Sequence, residues 1–393
     1  MRRLGQYIGH HVLHSIRKGD NILLILCLCA SAFGLLVIAS ATSYMGASRH
    51  VPTQLLAIFL GVCAYIFTSA LDLDFLSEHR RWLIVANYLL LALLIPFGAD
   101  NGSGNRSWLV IPGVPFDIQP AELCKMLYIL VTASVMASYQ NRPSSAKAVV
   151  HSATHLVVLA LFNLWLSDDL GVTMIFASAF VFMAITAGVS WFWFIGIGGM
   201  GIAAFPLLWS RLGQYQKNRI LILFDPSIDP NGINERYHTV QSLRTLTGGG
   251  MTGQGLFQGI RTQGGSLYAQ HTDYIFSVIG EEMGYITCVV VILLLTLIVA
   301  RCFWVGIKTP DYMRRLICFG TAGALVFQIV INVGMCFGVM PVIGLTLPFI
   351  SYGGSSIVSL FALMGFVSGV HARPSPASHE RYIKPPYLSR TLL

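Results

Sequence analysis

"DYIFSVIGEEMGYITCVVVILLLTLIVA", residues 273–300, would be an ordinary membrane span were it not for three carboxylates. From Tyr274 onward the stretch is longer than the roughly 20 apolar residues that a helix needs to cross a bilayer. Yet Asp273 stands at its threshold, and Glu281 and Glu282 lie inside it. Acidic side chains at that depth are costly and require partners or a function.

The rest of the chain shares this apolar character. Its 393 residues are 55% hydrophobic and 11% charged, with a mean hydropathy of +0.68, whereas soluble domains carry about 25% charged residues. A soluble globular fold is excluded. The polar, basic residues at the start are followed by an apolar run of about 20 residues with many spans behind it, which reads as a retained first span and not a cleaved signal peptide. Spans are expected near residues 22–42, 51–71, 82–98, 119–138, 149–167, 170–187, 190–210, 274–300, 316–337 and 352–372. The expected fold is therefore all-α: a polytopic membrane protein of about ten transmembrane helices.

The net charge of +8 invites a nucleic-acid reading, but the placement of the charges argues against it. Arg17, Lys18, Arg80, Arg81, Arg142, Lys147, Arg301, Lys308, Arg314, Arg315 and Arg373 fall on one side of the spans. The short loops of the other side hold only Arg49 and Arg106. Short loops enriched in Lys and Arg face the cytoplasm, and long loops are exempt from the rule. Both termini are thus expected in the cytoplasm, and the basic excess is a topology signal. All eight cysteines lie in spans or at a span's end, so no disulfide framework is implied and they read as small apolar packers.

Three parts follow. Residues 1–21 are a cytoplasmic amphipathic segment, with Ile8, Val12, Leu13 and Ile16 on one face of a short interfacial helix. Residues 22–372 form the membrane domain, and residues 373–393 a cytoplasmic tail rich in Pro and Arg. On the outer face lie residues 99–118 and a large loop, 211–272, between spans 7 and 8. Loops this long are functional or disordered, and the aromatic residues in these favour folding against the membrane face.

Read as a helix, Asp273, Ser277, Gly280 and Gly284 share one small, polar face. Glu281 flanks that face by about 80° and Glu282 points nearly opposite, both roughly 12 Å below Asp273. The two glutamates are expected to be structural, paired within the bundle. Asp273 is at the water-facing end beside His271 and Thr272. It suits a helix cap as well as a catalytic carboxylate, and the spacing alone does not separate the two.

In "FDIQPAELCKM", residues 116–126, Pro120 opens the fourth span at a first-turn position. Glu122 and Lys125 follow three residues apart, roughly 4.5 and 9 Å into the membrane. An intramembrane ion pair is a candidate functional site. The alternatives are a structural lock between helices, with Glu281 as a further member, or a Lys125 that leans up to neutralise Asp273 or an anionic ligand. The large loop adds Arg219, Arg236, Arg244 and Arg261, suited to bidentate phosphate binding, and glycines at 248–250, 253, 255 and 259 that let backbone N–H groups approach anions. No P-loop is present, since "GGGMTGQG" lacks the Lys-Ser/Thr ending. His151 and His155, like His10 and His14, have metal spacing without a carboxylate or cysteine beside them, and read as interfacial or core histidines. Asp168 and Asp169 fit a turn or cap.

Several stretches together carry a resemblance: "GNRSWLVIPGVPFDIQPAELCK", "DDLGV", "RILILFDP", "YHTVQSL", "GGGMTGQGL", "QHTDYIFSVIGEEMGY" and "NVGMCFGVMPVIGLTLPFISYGGSS", in that order. From about residue 20 to 372 the chain resembles the SEDS family of shape, elongation, division and sporulation proteins (RodA, FtsW, SpoVE). The resemblance implies a ten-span peptidoglycan glycosyltransferase of the bacterial cytoplasmic membrane. Such enzymes polymerise lipid II on the outer face, with a class B penicillin-binding protein as partner. The family's essential aspartate matches Asp273 and its loop tryptophan Trp108. Its Q-P-x-E-x-x-K motif matches Gln119, Pro120, Glu122 and Lys125.

Departures are Ala121 for the common Ser, Asp168 and Val172 in the P-D-x-G-T motif, Tyr268 and Ala269 for a Pro-Glu pair, and His238 for a glutamine. "GLTLPFISYGGSS" tilts the chain to the RodA-like side. With Asp273 as the catalytic base, the site-supporting set is expected to be Lys125, Glu122, Gln119, Trp108, Arg106, Arg219, Arg244 and His271, with no protein metal site. No cofactor is required by the sequence, which leaves room for a divalent cation. The alternative reading is a transporter of the lipid-linked precursor, since broken helices and buried charges also suit alternating access.

Overall fold

The computed structural model describes residues 18–46, 49–99, 106–211, 217–218, 221–222, 225, 229 and 236–374. The amphipathic segment expected before residue 18, His10 and His14 within it, most of the tail, and Arg219 lie outside these.

The described chain is mainly helical, with one two-stranded pairing among the described residues and non-helical crossings such as residues 337–353. Its elements are α1 (Asn21–Ala41), α2 (His50–Ala70), the short α3 (Leu73–Glu78), α4 (Arg80–Ala92), α5 (Pro120–Ala137), α6 (Ala146–Ser167), α7 (Leu170–Thr186), α8 (Trp191–Arg211), α9 (Tyr237–Gly248), α10 (Ile275–Lys308), α11 (Tyr312–Cys336) and α12 (Gly354–Ala372). Among the described residues eight helices are long and apolar enough to cross a membrane, α4 counting with its extension to Phe97. The two other expected spans correspond to α7, of 17 residues, and to α8, which contains Pro206.

Local chemistry starts these helices where they start. Asp20, Ser145, Asp169 and Asp311 each accept a backbone N–H of the first turn of α1, α6, α7 and α11, supplying partners for donors that the helix itself leaves open. Pro120 occupies the first turn of α5, where its missing N–H costs nothing. Asp168 adopts a left-handed conformation (φ 49°) that ends α6, so the Asp168–Asp169 pair makes the tight turn into α7.

The centre of the bundle is formed by α12 and α5, whose apolar windows are 83% and 78% buried, whereas α4 and α6, at 17% and 28%, lie at the perimeter. There large apolar side chains such as Trp165 and Phe192 point outward, as a lipid environment favours. Small residues set the closest approaches. A methyl group at Gly34 of α1 would lie 2.5 Å from the Ile350 carbonyl oxygen, and one at Gly365 of α12 would lie 2.0 Å from Thr68 Oγ1 of α2. All eight cysteines are free thiols.

At the basic end of the bundle, charges are paired. Arg301 Nε meets Asp20 at 2.7 Å and Arg314 meets Asp74 at 2.9 Å. The opposite, long-loop end carries Asp273. There Gly98–Ala99 and Trp108–Leu109 form strands β1 and β2, antiparallel, with Gly98 opposite Leu109 and Ala99 opposite Trp108. Leu109 also bridges Ile118, which folds this segment back toward α5.

Candidate active site

Asp273 ends a tight turn built on Ala269, a non-glycine residue at φ 53°. The Ala269 carbonyl accepts the N–H groups of Thr272, Asp273 and Tyr274 at 3.1–3.3 Å and the Thr272 hydroxyl at 3.1 Å. The N-cap of α10 is Tyr274, and no side chain caps the helix there. Asp273 is therefore not used as a cap, which removes the capping alternative for its sequence position. Its backbone is held instead: Asn332 of α11, fully buried, donates through Nδ2 to the Asp273 carbonyl at 2.8 Å and to the Leu345 carbonyl at 2.6 Å.

The carboxylate faces the crossing segment between α11 and α12. A methyl group at Gly344 (φ 69°) would lie 3.7 Å from Asp273 Oδ2, so the glycine leaves the acid a bare backbone as its neighbour. Asp273 keeps partial surface exposure, although protein crowds the carboxyl itself. That crowding pushes its pKa up to about 6, with a hydrogen bond from Thr272 pulling the other way. A carboxylate tuned close to neutral pH is suited to accept a proton and return it.

His271 sits beside it in a ring cluster, 4.8 Å from His50 and 5.6 Å from Tyr352 between centroids. Burial, and then His50, push the His271 pKa down to about 4, so the ring is neutral. The Tyr352 N–H donates to the His271 carbonyl at 2.9 Å, and Ser351 Oγ donates to the Thr272 carbonyl at 2.6 Å. Gln54 of α2 grips the same segment at Ser351 and Gly353. The turn bearing Asp273 is thus fixed by α2, α11 and the segment from Leu345 to Gly353.

The two intramembrane glutamates correct the sequence reading in their choice of partner. Both are buried, and among the described residues neither makes an ion pair. Glu281 accepts Arg261 N–H at 2.9 Å, Thr262 N–H at 2.8 Å and Thr262 Oγ1 at 2.6 Å. Glu282 accepts Ser40 Oγ at 2.6 Å and Gln263 Nε2 at 2.8 Å, with longer bonds from the Phe257 and Gly259 N–H groups. They clamp the large loop to α10 by its backbone N–H groups and by neutral side chains, with Ser40 of α1 joining Glu282, so the partners are dipoles and not cations.

The glycine-rich stretch completes the clamp. Gly284 (φ 79°, ψ 176°) breaks α10, and residues 250–255 enter the break. Gln254 and Gly255 donate to the Glu281 and Glu282 carbonyls, each at 2.9 Å, while Tyr285 and Ile286 donate to the Gly250 and Met251 carbonyls at 2.9 and 3.3 Å. These are the groups that an unbroken helix would have paired with one another, and the loop supplies their replacements. The acceptors met by the glycine N–H groups are the protein's own: Gly255 donates to the Glu282 carbonyl and Gly259 to the Glu282 carboxylate. Gly280, on the small face with Asp273, packs against Leu246 of α9.

Lys125 pairs with Glu122 at 2.7 Å, and Ser359 of α12 donates to the same Glu122 oxygen at 2.8 Å. With Lys125 1% exposed and Glu122 4%, this is the helix-locking pair of the sequence alternatives. It engages neither Asp273 nor Glu281. Gln119 Nε2 donates to Asp169 at 2.7 Å and Gln119 N to Ser355 Oγ at 3.2 Å, joining α5 to α7 and α12. Trp108 is half-buried on β2, and Arg106 and Arg244 are exposed. Arg261 is turned to Gln241 at 2.8 Å. His151 and His155 engage separate tyrosines, Tyr139 at 2.9 Å and Tyr88 at 3.5 Å. Among the described residues no group of three His, Cys, Asp or Glu is placed to hold a metal ion.

Sequence reasoning missed Asn332, His50, Gln54 and Gly344. The last motif, from Asn332 to Ser356, held two of them and the segment that faces the acid, but no residue there was given a task.

A model of the cell cycle protein family of FtsW, RodA and SpoVE matches residues 20–375. The chain belongs to the FtsW/RodA/SpoVE family. The peptidoglycan glycosyltransferase MrdB of Escherichia coli K12 is 30% identical over 357 residues, covering 90% of this chain and 93% of that protein. Stage V sporulation protein E of Bacillus subtilis is 29% identical over 361 residues, covering 89% and 96%. Among solved structures, a chain from a peptidoglycan synthase complex superposes with a TM-score of 0.76 at 29% identity, covering 90% of this chain and 97% of that one. The rod shape determining protein RodA of Thermus thermophilus gives 0.64 at 27% identity, covering 90% and 96%. The FtsW/RodA/SpoVE fold thus extends over the whole described bundle.

Proposed function

We propose that this protein is a peptidoglycan glycosyltransferase that polymerises lipid II, with the long-loop end on the outer face of the bacterial cytoplasmic membrane. The observation that carries this reading is Asp273: a carboxylate at the mouth of a span, free of capping duty, on a residue that keeps partial surface exposure, and crowded so that its pKa is raised to about 6. The names of MrdB and FtsW relatives, as glycosyltransferases of the same family, support it.

In the proposed reaction the 4-hydroxyl of an acceptor GlcNAc attacks the anomeric carbon of a donor MurNAc. The new oxygen–carbon bond forms as the bond to undecaprenyl pyrophosphate breaks, and one inversion converts the α-linked donor into a β-1,4 product. A single inversion calls for one base at the nucleophile and no carboxylate nucleophile. Asp273 accepts the hydroxyl proton. The departing pyrophosphate keeps the bonding electron pair, and cations answer its charge. Lys125 is sealed against Glu122, so this task passes to exposed cations of the long-loop end such as Arg106 and Arg244. A class B penicillin-binding protein is the proposed partner, which would cross-link the strands made here.

The transporter alternative rested on a broken helix and buried charges. The break at Gly284 is filled by the loop, and the charges are clamped or paired, so both features have a structural account without alternating access. Incubating the purified chain and its partner with labelled lipid II, then separating products by gel, tests the assignment. Polymer is expected from the native protein and none from Asp273→Asn at equal expression; polymer from the variant would remove Asp273 from the mechanism.

A further inference from the structure

The loop that clamps α10 also presents large apolar side chains to the outside, and hydrogen bonds fix their height. Phe257 and Ile260 are 47% and 78% exposed, and Tyr44 and Met45, in the single turn after α1, are 42% and 43% exposed. The two pieces are joined, because Ser43 hydrogen-bonds Gln263 and the Tyr44 ring lies against Gly265. Phe257 holds a left-handed backbone (φ 62°) that bulky residues avoid. Its N–H is fixed to Ser40 Oγ at 3.2 Å and to Glu282 at 3.3 Å.

The level follows from α1. Its 21 residues make a helix of about 31 Å, close to the roughly 30 Å of a bilayer's hydrocarbon core. Ser40, next to its last residue, therefore marks the boundary between acyl chains and headgroups, and Phe257 is bonded to it. Leu36 of α1 and Tyr285, just past the break in α10, are 42% and 56% exposed. These faces belong to spans and meet lipid. Aromatic and apolar side chains at that level are what membrane interfaces select.

We infer that Phe257 and Ile260, together with Tyr44 and Met45, form a wedge seated in the membrane leaflet at the long-loop end, with phospholipid as its occupant. The wedge meets lipid on one side and, through Glu281 and Glu282, grips α10 on the other. It thereby references the height of the first part of α10, and of Asp273 at its start, to the headgroup plane. The inference stands apart from the glycosyl-transfer chemistry.

Photoreactive benzoylphenylalanine placed at 260 and, in a second variant, at 257 tests it. The full chain is reconstituted in nanodiscs of phosphatidylethanolamine and phosphatidylglycerol, irradiated and weighed by intact-mass spectrometry. The expected result is an added mass of one phospholipid at both positions, which shifts when deuterated lipid is used. Position 260 lies outside the strained turn and keeps the test valid if the 257 variant misfolds. Absence of a lipid adduct at 260, or crosslinking there to another polypeptide, overturns the wedge. The same adducts are expected in the Asp273→Asn background, so failure of the catalytic reading leaves this result distinguishable.

Discussion

Asn332 holds Asp273 by its backbone: one amide nitrogen donates to the Asp273 carbonyl at 2.8 Å and to the Leu345 carbonyl at 2.6 Å. Leu345 follows Gly344, the residue that faces the Asp273 carboxylate. One side chain thus sets the spacing between the acid and the backbone opposite it. Asn332→Leu removes both bonds; the buried Leu345 carbonyl loses this donor at a cost of about 1–3 kcal/mol, while the part-buried Asp273 carbonyl keeps only the long contact from Cys336 Sγ at 3.9 Å. The variant should melt lower and lose turnover more than lipid II affinity. Thermal denaturation and initial rates against substrate concentration check both; an unchanged turnover would make the contact purely structural.

Asp273 itself predicts a pH profile. As a base it works only when ionised, so the rate should fall as pH drops through about 6. Asp273→Asn should lower polymerisation by about 10²–10⁴-fold, the usual share of a general base. Initial rates of lipid II polymerisation from pH 5 to 8 measure the first, and a flat profile across that range would exclude titration of this group from the rate.

Much of this was legible beforehand, and the part that was not has a physical reason. The span positions follow from apolar length, the entry to α5 from Pro120, and the turn at Asp168–Asp169 from turn chemistry. The Glu122–Lys125 pair follows from its spacing, but its third member, Ser359, lies more than two hundred residues away. The glutamates were legible as structural and illegible in their partners, because backbone N–H groups leave no mark in a sequence and Ser40, Thr262 and Gln263 are neutral side chains with nothing to single them out. The glycines of residues 248–259 showed that some backbone comes close to an anion, and only the fold reveals that the anion is internal. Asn332 was silent because an asparagine in a span has many bland uses.

His271 couples stability to pH. Its folded-state pKa, about 4, lies below the ordinary 6.5, so the unfolded chain binds the proton more readily. The stabilisation from this group is present above about pH 6.5 and is lost as pH falls toward 4. Asp273 works in the opposite sense: its raised pKa gives stability that is present below its ordinary 3.8 and lost as pH rises through about 6. Melting temperatures across pH 4–7 should separate the two, with His271→Gln compared in the Asp273→Asn background. The acid-side loss should shrink in the His271 variant; an identical slope would place the titration elsewhere.

Gly284 is the position where the loop's hold on α10 can be broken by the smallest change. Its φ of 79° disfavours any side chain, and a methyl group there would lie 2.4 Å from both Gly253 N and the Met251 carbonyl oxygen. Gly284→Ala therefore meets backbone strain of about 1–3 kcal/mol and a steric clash with the threaded segment. Relief comes by expelling residues 250–255, which frees the Glu281 and Glu282 carbonyls to re-form the helix with Tyr285 and Ile286. The displaced segment runs straight into residues 257–263, whose donors serve the Glu281 and Glu282 side chains, and straining them strains the clamp at the depth where unpartnered carboxylates cost most. The variant should expose the stretch around Gly253 to limited proteolysis at a temperature where the native protein resists, and should lose polymerase activity although Asp273 is intact. A protease pattern and activity equal to the native protein would show that the loop does not depend on the break.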